Sequence, residues 1–196
     1  KIMANKDAPF GLRPVGELGS NIQNAGTTKY RIANATSAII YKGDLVTLAS
    51  GVIAVASGTA NTLLGVFNGC FYNDPTTQEP TWKNYYPGSI TPTVGVIEAY
   101  IYDDPSKLFE VQSTGQITYV AAVGKNVDTT YAAGSTINGQ SKVEMTATAG
   151  TGTAQLRVVG ISEDPDNSDA ASANANWIVK INEHLYGGTD NAGVGT

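Results

Sequence analysis

The chain has 196 residues, of which 41% are hydrophobic and 15% charged, with a net charge of -5. That length supports one sizeable core, or two small ones sharing an interface, while a charge content below the roughly 25% of ordinary domains leaves little for solvated helical faces. Twelve Lys and Arg against seventeen Asp and Glu, with no basic run, argue against direct binding to nucleic acid; a single cysteine excludes an internal disulfide, and no apolar stretch reaches the roughly 18 residues of a membrane helix.

Residues 1–28 read as an extended N-terminal arm. Pro9, Gly11, Pro14, Gly16, Gly19 and Gly26 interrupt every helical or strand period. A segment this poor in core residues is expected to order only on a partner, with Phe10, Leu12 and Val15 as its anchors. Met3-Ala4 reads as a start, and the first residues lack the apolar core of a signal peptide, in keeping with assembly in a cytoplasm.

Residues 29–186 read as a β-rich body. Tyr30 and Ile32 share one strand face, against Lys29, Arg31 and Ala33. Ile39-Ile40-Tyr41 leads through a turn at Lys42-Gly43-Asp44 to Leu45–Leu48, and Ser50-Gly51 turns the chain into Val52–Val55. Leu63–Tyr72 is a further strand run in which Gly65 and Gly69 mark a bulge or a close approach. Pro75, Pro80, Pro87 and Pro92 exclude a central strand from the loop at 73–93, which carries Trp82, Tyr85 and Tyr86. Val94–Tyr102 alternates again, with Glu98, Tyr100 and Tyr102 opposite Ile97, Ala99 and Ile101. Lys107–Gln112, Gln116–Val123, Lys142–Thr146, Gln155–Glu163 and Asn176–Glu183 are the remaining predicted strands, and residues 187–196 read as a flexible tail. Short strands with Gly-containing turns between them predict an all-β fold, a single β-barrel, β-tulip or sandwich-like domain.

Few residues offer chemistry. His184 lies on the strand face of Ile178, Lys180 and Asn182 and reads as a surface or interface histidine; no Gly-x-Ser-x-Gly elbow accompanies it. Cys70, between Gly69 and Phe71, reads as a core thiol. One Cys and one His fall short of the four ligands of a structural zinc site. Asp164, Asp166 and Asp169 superficially resemble a calcium loop, but Asp169 and Ala175 stand where Gly and Glu are required, so the stretch reads as a polar turn. No catalytic residue, cofactor or metal is expected, and an enzyme is the least favoured class. Trp82, Tyr85 and Tyr86 remain open between contact with another subunit, packing within their own fold, and stacking on a sugar. Asn34-Ala35-Thr36 fits a glycosylation acceptor, a triplet common by chance.

Several segments together resemble the decoration, or cement, proteins that stabilise the heads of tailed bacteriophages, as in marine and environmental phages. They are Met3–Val15, Tyr41–Val46, Leu64–Gly69, Asp103-Asp104-Pro105 with Phe109–Gln112, and Trp177–His184. The resemblance implies a β-barrel or β-tulip body, often trimeric, on the outside of a capsid and bridging subunits of the major capsid protein. Its partners would be the major capsid protein and other copies of itself, with neither nucleic acid nor membrane. Phe10, Leu12 and Val15 of the arm and Trp82, Tyr85 and Tyr86 of the loop are the interface residues expected on this reading. Two rivals stand beside it: a glycan- or receptor-binding virion surface module using the three aromatics, and another structural subunit such as a tail or neck component.

Overall fold

The structure is a computed structural model that describes residues 5–19, 26–58 and 62–188; the tail expected at 187–196 falls almost wholly outside the described residues. The fold is all-β, with antiparallel sheets and, among the described residues, a single short helix, α1 (Tyr119–Ala122). One sheet has five strands in the order β1 (Arg13–Glu17), β8 (Lys107–Gln112), β13 (Asn176–Ile181), β12 (Leu156–Ile161) and β9 (Asn126–Val127). The other follows the order β2 (Thr28–Ile32), β7 (Ile97–Tyr102), β5 (Gly65–Asn73), β3 (Leu45–Ala49) and β4 (Val52–Val55), with β6 (Pro80–Lys83) also paired to β5. A two-residue ladder joins β10 (Thr129–Thr130) to β11 (Glu144–Met145).

The alternation along the strands decides what is buried. In β13, Trp177, Val179 and Ile181 turn inward, and they meet Phe109 and Val111 of β8 and Leu156 and Val158 of β12 in one core. In β7, Ile97, Ala99 and Ile101 turn into a second core with Phe67, Cys70, Tyr72 and Tyr86. The six-stranded sheet curls about this second core until β2 and β4 lie side by side. No hydrogen-bonded ladder links them, so the sheet forms an open, incompletely rolled barrel. Leu45 of β3 and Val66 of β5 face the first core instead, which binds the two sheets together.

Two turns hold this arrangement in register. Ser50 and Gly51 both adopt positive φ (50° and 80°), the two-residue geometry whose twist matches a hairpin, and they join β3 to β4. Gly43 (φ 95°) lets the Asp44 amide reach the Tyr41 carbonyl at 3.0 Å, and the Tyr41 amide donates to Asp44 Oδ2 at 2.8 Å. A bulge between Phe67 and Gly69 keeps Phe67, Cys70 and Tyr72 on one face of β5 despite their uneven spacing.

Three expectations are revised. The N-terminal segment is extended but packs on its own body. Asn5 Nδ2 donates to the Asp169 and Ala173 carbonyls (2.9 and 2.8 Å), and Gln112 Nε2 and Asn167 Nδ2 donate to the Lys6 carbonyl (2.9 and 2.8 Å). The Ala8 amide donates to Gln112 Oε1 at 3.0 Å, and β1 completes the contact as the outermost strand beside β8. Amide side chains from a distant strand and a distant turn therefore supply the partner that this stretch lacks in its own composition. Second, Gln116–Val123 is no strand: only Ile117 and Ala122 are buried, Val120 is 86% exposed, and the segment coils through α1. Third, the loop at 73–93 contains β6, which starts at Pro80 and pairs through one edge only, a placement in which proline costs no ladder bond.

Candidate functional site: an aromatic ledge

The outer face of the curled sheet carries the largest concentration of displayed rings. Phe71 of β5 stands opposite Trp82 of β6 on one side and Glu98 of β7 on the other. Gly69 stands opposite Tyr100. The Trp82 ring lies across Gly69, so closely that a Cβ there would come within 2.5 Å of Trp82 Cζ2. The same ring meets Tyr100 edge-on, with centroids 5.0 Å apart at 66°. Tyr100 donates its hydroxyl hydrogen to Glu98 Oε2 (3.2 Å), which also receives Lys29 Nζ (2.9 Å). The Glu98 bond raises the pKa of Lys29, and Lys29 in turn lowers that of Glu98. Lys29 is exposed and Glu98 only half-buried, so the pair orients the ledge more than it stabilises the fold.

Trp82 is 49% and Phe71 38% exposed. Beside Phe71 lies a cavity of about 320 Å³ walled by Phe71, Pro80, Val94 and Val96, with Asn73 and Glu98 as its polar lining. Asn73 Oδ1 is buried and has no protein donor.

The six residues expected at interfaces part company here. Trp82 alone of the loop aromatics is displayed. Tyr85 is half-buried and stacks on Tyr41 (6.2 Å, 14°), with Lys83 Nζ 5.8 Å from its ring. Tyr86 is fully buried: its hydroxyl donates to the Thr36 carbonyl (3.1 Å) and accepts the Ile90 amide (3.2 Å), which makes it a core residue and removes it from any interface. Leu12 is likewise a core residue, 2% exposed, its amide bonded to the Gly43 carbonyl at 2.9 Å. Phe10 and Val15 stay half-buried at the edge of the five-stranded sheet, and the Arg13 guanidinium covers the Phe10 ring at 4.8 Å. Arg13 also pairs with Glu110, a buried carboxylate that takes the Ser162 hydroxyl at 2.6 Å.

The groups with reactive chemistry lie elsewhere. Burial pushes the Cys70 thiol up to about 12, which keeps it protonated at neutral pH. His184 is not a surface residue: it is 1% exposed, its Nδ1 accepts the Tyr186 amide at 3.0 Å, and burial lowers its pKa, so the ring is neutral. The strand ends at Ile181, and the chain beyond it turns inward beside Leu63, so strand parity no longer assigns the face at residue 184. The 164–169 stretch forms side-chain-capped turns, with the Asp166 amide on Asp164 Oδ1 (3.0 Å), and it cradles the N-terminal segment through Asn167. Among the described residues, no group of three or more His, Cys, Asp or Glu converges to hold a metal ion, and no helix is long and apolar enough to cross a membrane.

Phe71 carries no sequence signal for exposure, because it sits in an apolar run between Cys70 and Tyr72. The shared face of Glu98 and Tyr100 and the close approach at Gly69 are both legible in the pattern. Comparison with family models, with curated proteins and with solved structures finds no match to this chain.

Proposed function

We propose that this chain is a structural surface protein of a tailed-phage virion, a decoration protein that seats on the major capsid protein and bridges neighbouring capsomers, acting as a homotrimer. The observation that carries the reading is the N-terminal segment. Residues 5–17 run extended along the five-stranded sheet, end in its outermost strand, and display the Arg13–Phe10 stack at the edge. Arg and aromatic side chains dominate interface hot spots, and Arg13 keeps 56% of its side chain in solvent while its buried partner Glu110 fixes its direction. A rigid edge costs less ordering entropy on docking than a free arm would. Repeated over many copies on one shell, a modest contact gives a firm coat. The all-β body suits this role because apolar cores and main-chain ladders, rather than reactive side chains, hold it together.

Co-sedimentation with capsid shells tests the reading. Wild-type protein is expected to pellet with shells, and Phe10→Ala to lose most of that binding while keeping its β circular dichroism. A map of decorated shells should then place β1 against capsid protein. Equal pelleting of both proteins would remove the N-terminal edge from the contact, and no pelleting of the wild type would overturn the capsid reading itself.

A further inference from the structure

The cavity beside Phe71 is an apolar groove at the Pro80 end of β6, and an exposed apolar side chain stands near the other end of that strand. Phe71, Pro80, Val94 and Val96 wall the groove, and Val94 is 69% and Val96 41% exposed. Ile137, 97% exposed, tops the turn at 135–140. We propose that the groove receives the Ile137 turn of a second copy of this chain, so that each copy gives one turn and takes another. The proposal rests on the homotrimer put forward for the function and not on the capsid.

Three observations carry the assignment. First, the turn is held rigid. The Ser135 amide donates to the Gln140 carbonyl (2.9 Å), the Gly139 amide to the Ser135 carbonyl (2.7 Å) and the Gln140 amide to Asn138 Oδ1 (3.0 Å). Asn84 Nδ2 ties the turn to the body through the Asn138 carbonyl at 2.7 Å. Second, turns favour Gly, Asn, Asp and Ser, so a β-branched apolar side chain held in water at the apex gains nothing from its own fold. Third, the charges are complementary. Residues 129–143 contain Lys142 and no acid, and the Lys42 amide donates to the Gly139 carbonyl at the foot of the turn (2.9 Å). Residues 71–82 contain Asp74 and Glu79 and no base, and Glu98 adds a carboxylate to the groove lining. Lys42, Lys142, Asp74 and Glu79 form no ion pair among the described residues, and Lys83 acts on Asp74 only at longer range.

The chain cannot fill its own groove. The turn is anchored at Asn84 and the groove lies at Pro80, four residues of extended chain or roughly 13 Å away. A contact between two different patches is heterologous, and successive copies close it into a ring, the arrangement that a trimer needs. The turn also borders the docking edge, because Gln140 Nε2 donates to the Phe10 carbonyl at 2.5 Å. Contact between copies and contact with a shell are thereby continuous on one surface.

Sedimentation of the full chain, without capsid, tests the contact. The wild type is expected to self-associate, and Ile137→Asp and Val94→Asp each to weaken that association by about tenfold to a hundredfold, the worth of burying one isoleucine side chain. Both positions are exposed, so circular dichroism should be unchanged and shows that the variants fold. Mixed one to one, the variants retain one intact turn and one intact groove between them. A pair containing one chain of each should therefore form where neither variant associates alone. Added salt should weaken the wild-type association, and Glu79→Lys should weaken it at low salt. A monomeric wild type, association indifferent to both Asp variants, or a mixture that forms no pair would each overturn the proposal. A dimer sensitive to both variants would support the contact and replace the homotrimer. Shells that pellet a monomeric chain would keep the capsid reading and overturn this contact, whereas a self-associating chain that no shell pellets would do the reverse.

Discussion

Asp44 shows how one buried side chain can set the pH response of the fold. It is fully buried in the turn before β3, and desolvation, only partly offset by the Ser141 hydroxyl and the Tyr41 amide, raises its pKa to about 6. The unfolded carboxyl titrates near 3.9, so between about pH 4 and pH 6 the folded state holds the extra proton and stability falls as pH rises. His184 acts in the opposite direction. Its folded value lies below the unfolded one of about 6.5, so the unfolded chain takes up the proton first and stability is lost as pH falls through that range. The unfolding free energy of Asp44→Asn, read from urea titrations, should therefore be higher at pH 7, by up to about 3 kcal/mol, and should decline monotonically into acid; a profile parallel to wild type would show that Asp44 carries no penalty. Gly69 makes a second test at this scale. In Gly69→Ala the added methyl overlaps the Trp82 ring and lies 2.8 Å from the Lys83 carbonyl oxygen. A loss of about 1–3 kcal/mol and freer acrylamide quenching of Trp82 are expected, and quenching like that of wild type would show that the ring does not depend on Gly69.

Among the elements, β7 and β13 are legible in the sequence because alternation is a local property: Ile97, Ala99 and Ile101, like Trp177, Val179 and Ile181, announce their face without knowledge of the rest of the chain. The Ser50-Gly51 hairpin is equally local. The N-terminal segment is not legible in this way. Its partners, Gln112, Gln140 and Asn167, lie more than a hundred residues away, and a polar amide in a strand or a turn carries no mark of what it will hold. Tyr86 is hidden for the same reason, since the Thr36 carbonyl that takes its hydroxyl cannot be read from a Pro-rich loop. The site divides along the same line: Trp82 and the Glu98–Tyr100 face are visible in sequence, whereas the cavity exists only once β5, β6 and the approach to β7 converge. Because Leu12 is a core residue, Leu12→Ala should cost about 2–5 kcal/mol, read from urea unfolding. Removal of the whole segment should likewise lower the stability of the β body. Unchanged midpoints would mean that the segment only rests on the sheet.

At the scale of the whole molecule, the two cores are joined through Leu45 and Val66, which leave the curled sheet to pack against the five-stranded one. The molecule should therefore unfold in one step. Ile97→Ala opens a cavity in the second core, yet Trp177 in the first should report the same loss, about 2–5 kcal/mol, with a midpoint that coincides with circular dichroism. Two separated transitions would show the cores to be independent. The strand order of the five-stranded sheet carries a different consequence, one for synthesis. Its neighbours β1, β8 and β13 begin at residues 13, 107 and 176, so the N-terminal strand leaves the ribosome long before the last strand on which the sheet depends. Until β13 is made, β8 has no neighbour on that side, and Phe109 and Val111 lack the cover of Trp177. Such long-range closure is slow, and it makes completion of the sheet a check on the length of the chain: a product that stops short of β13 cannot form this sheet and enters no assembly that requires it.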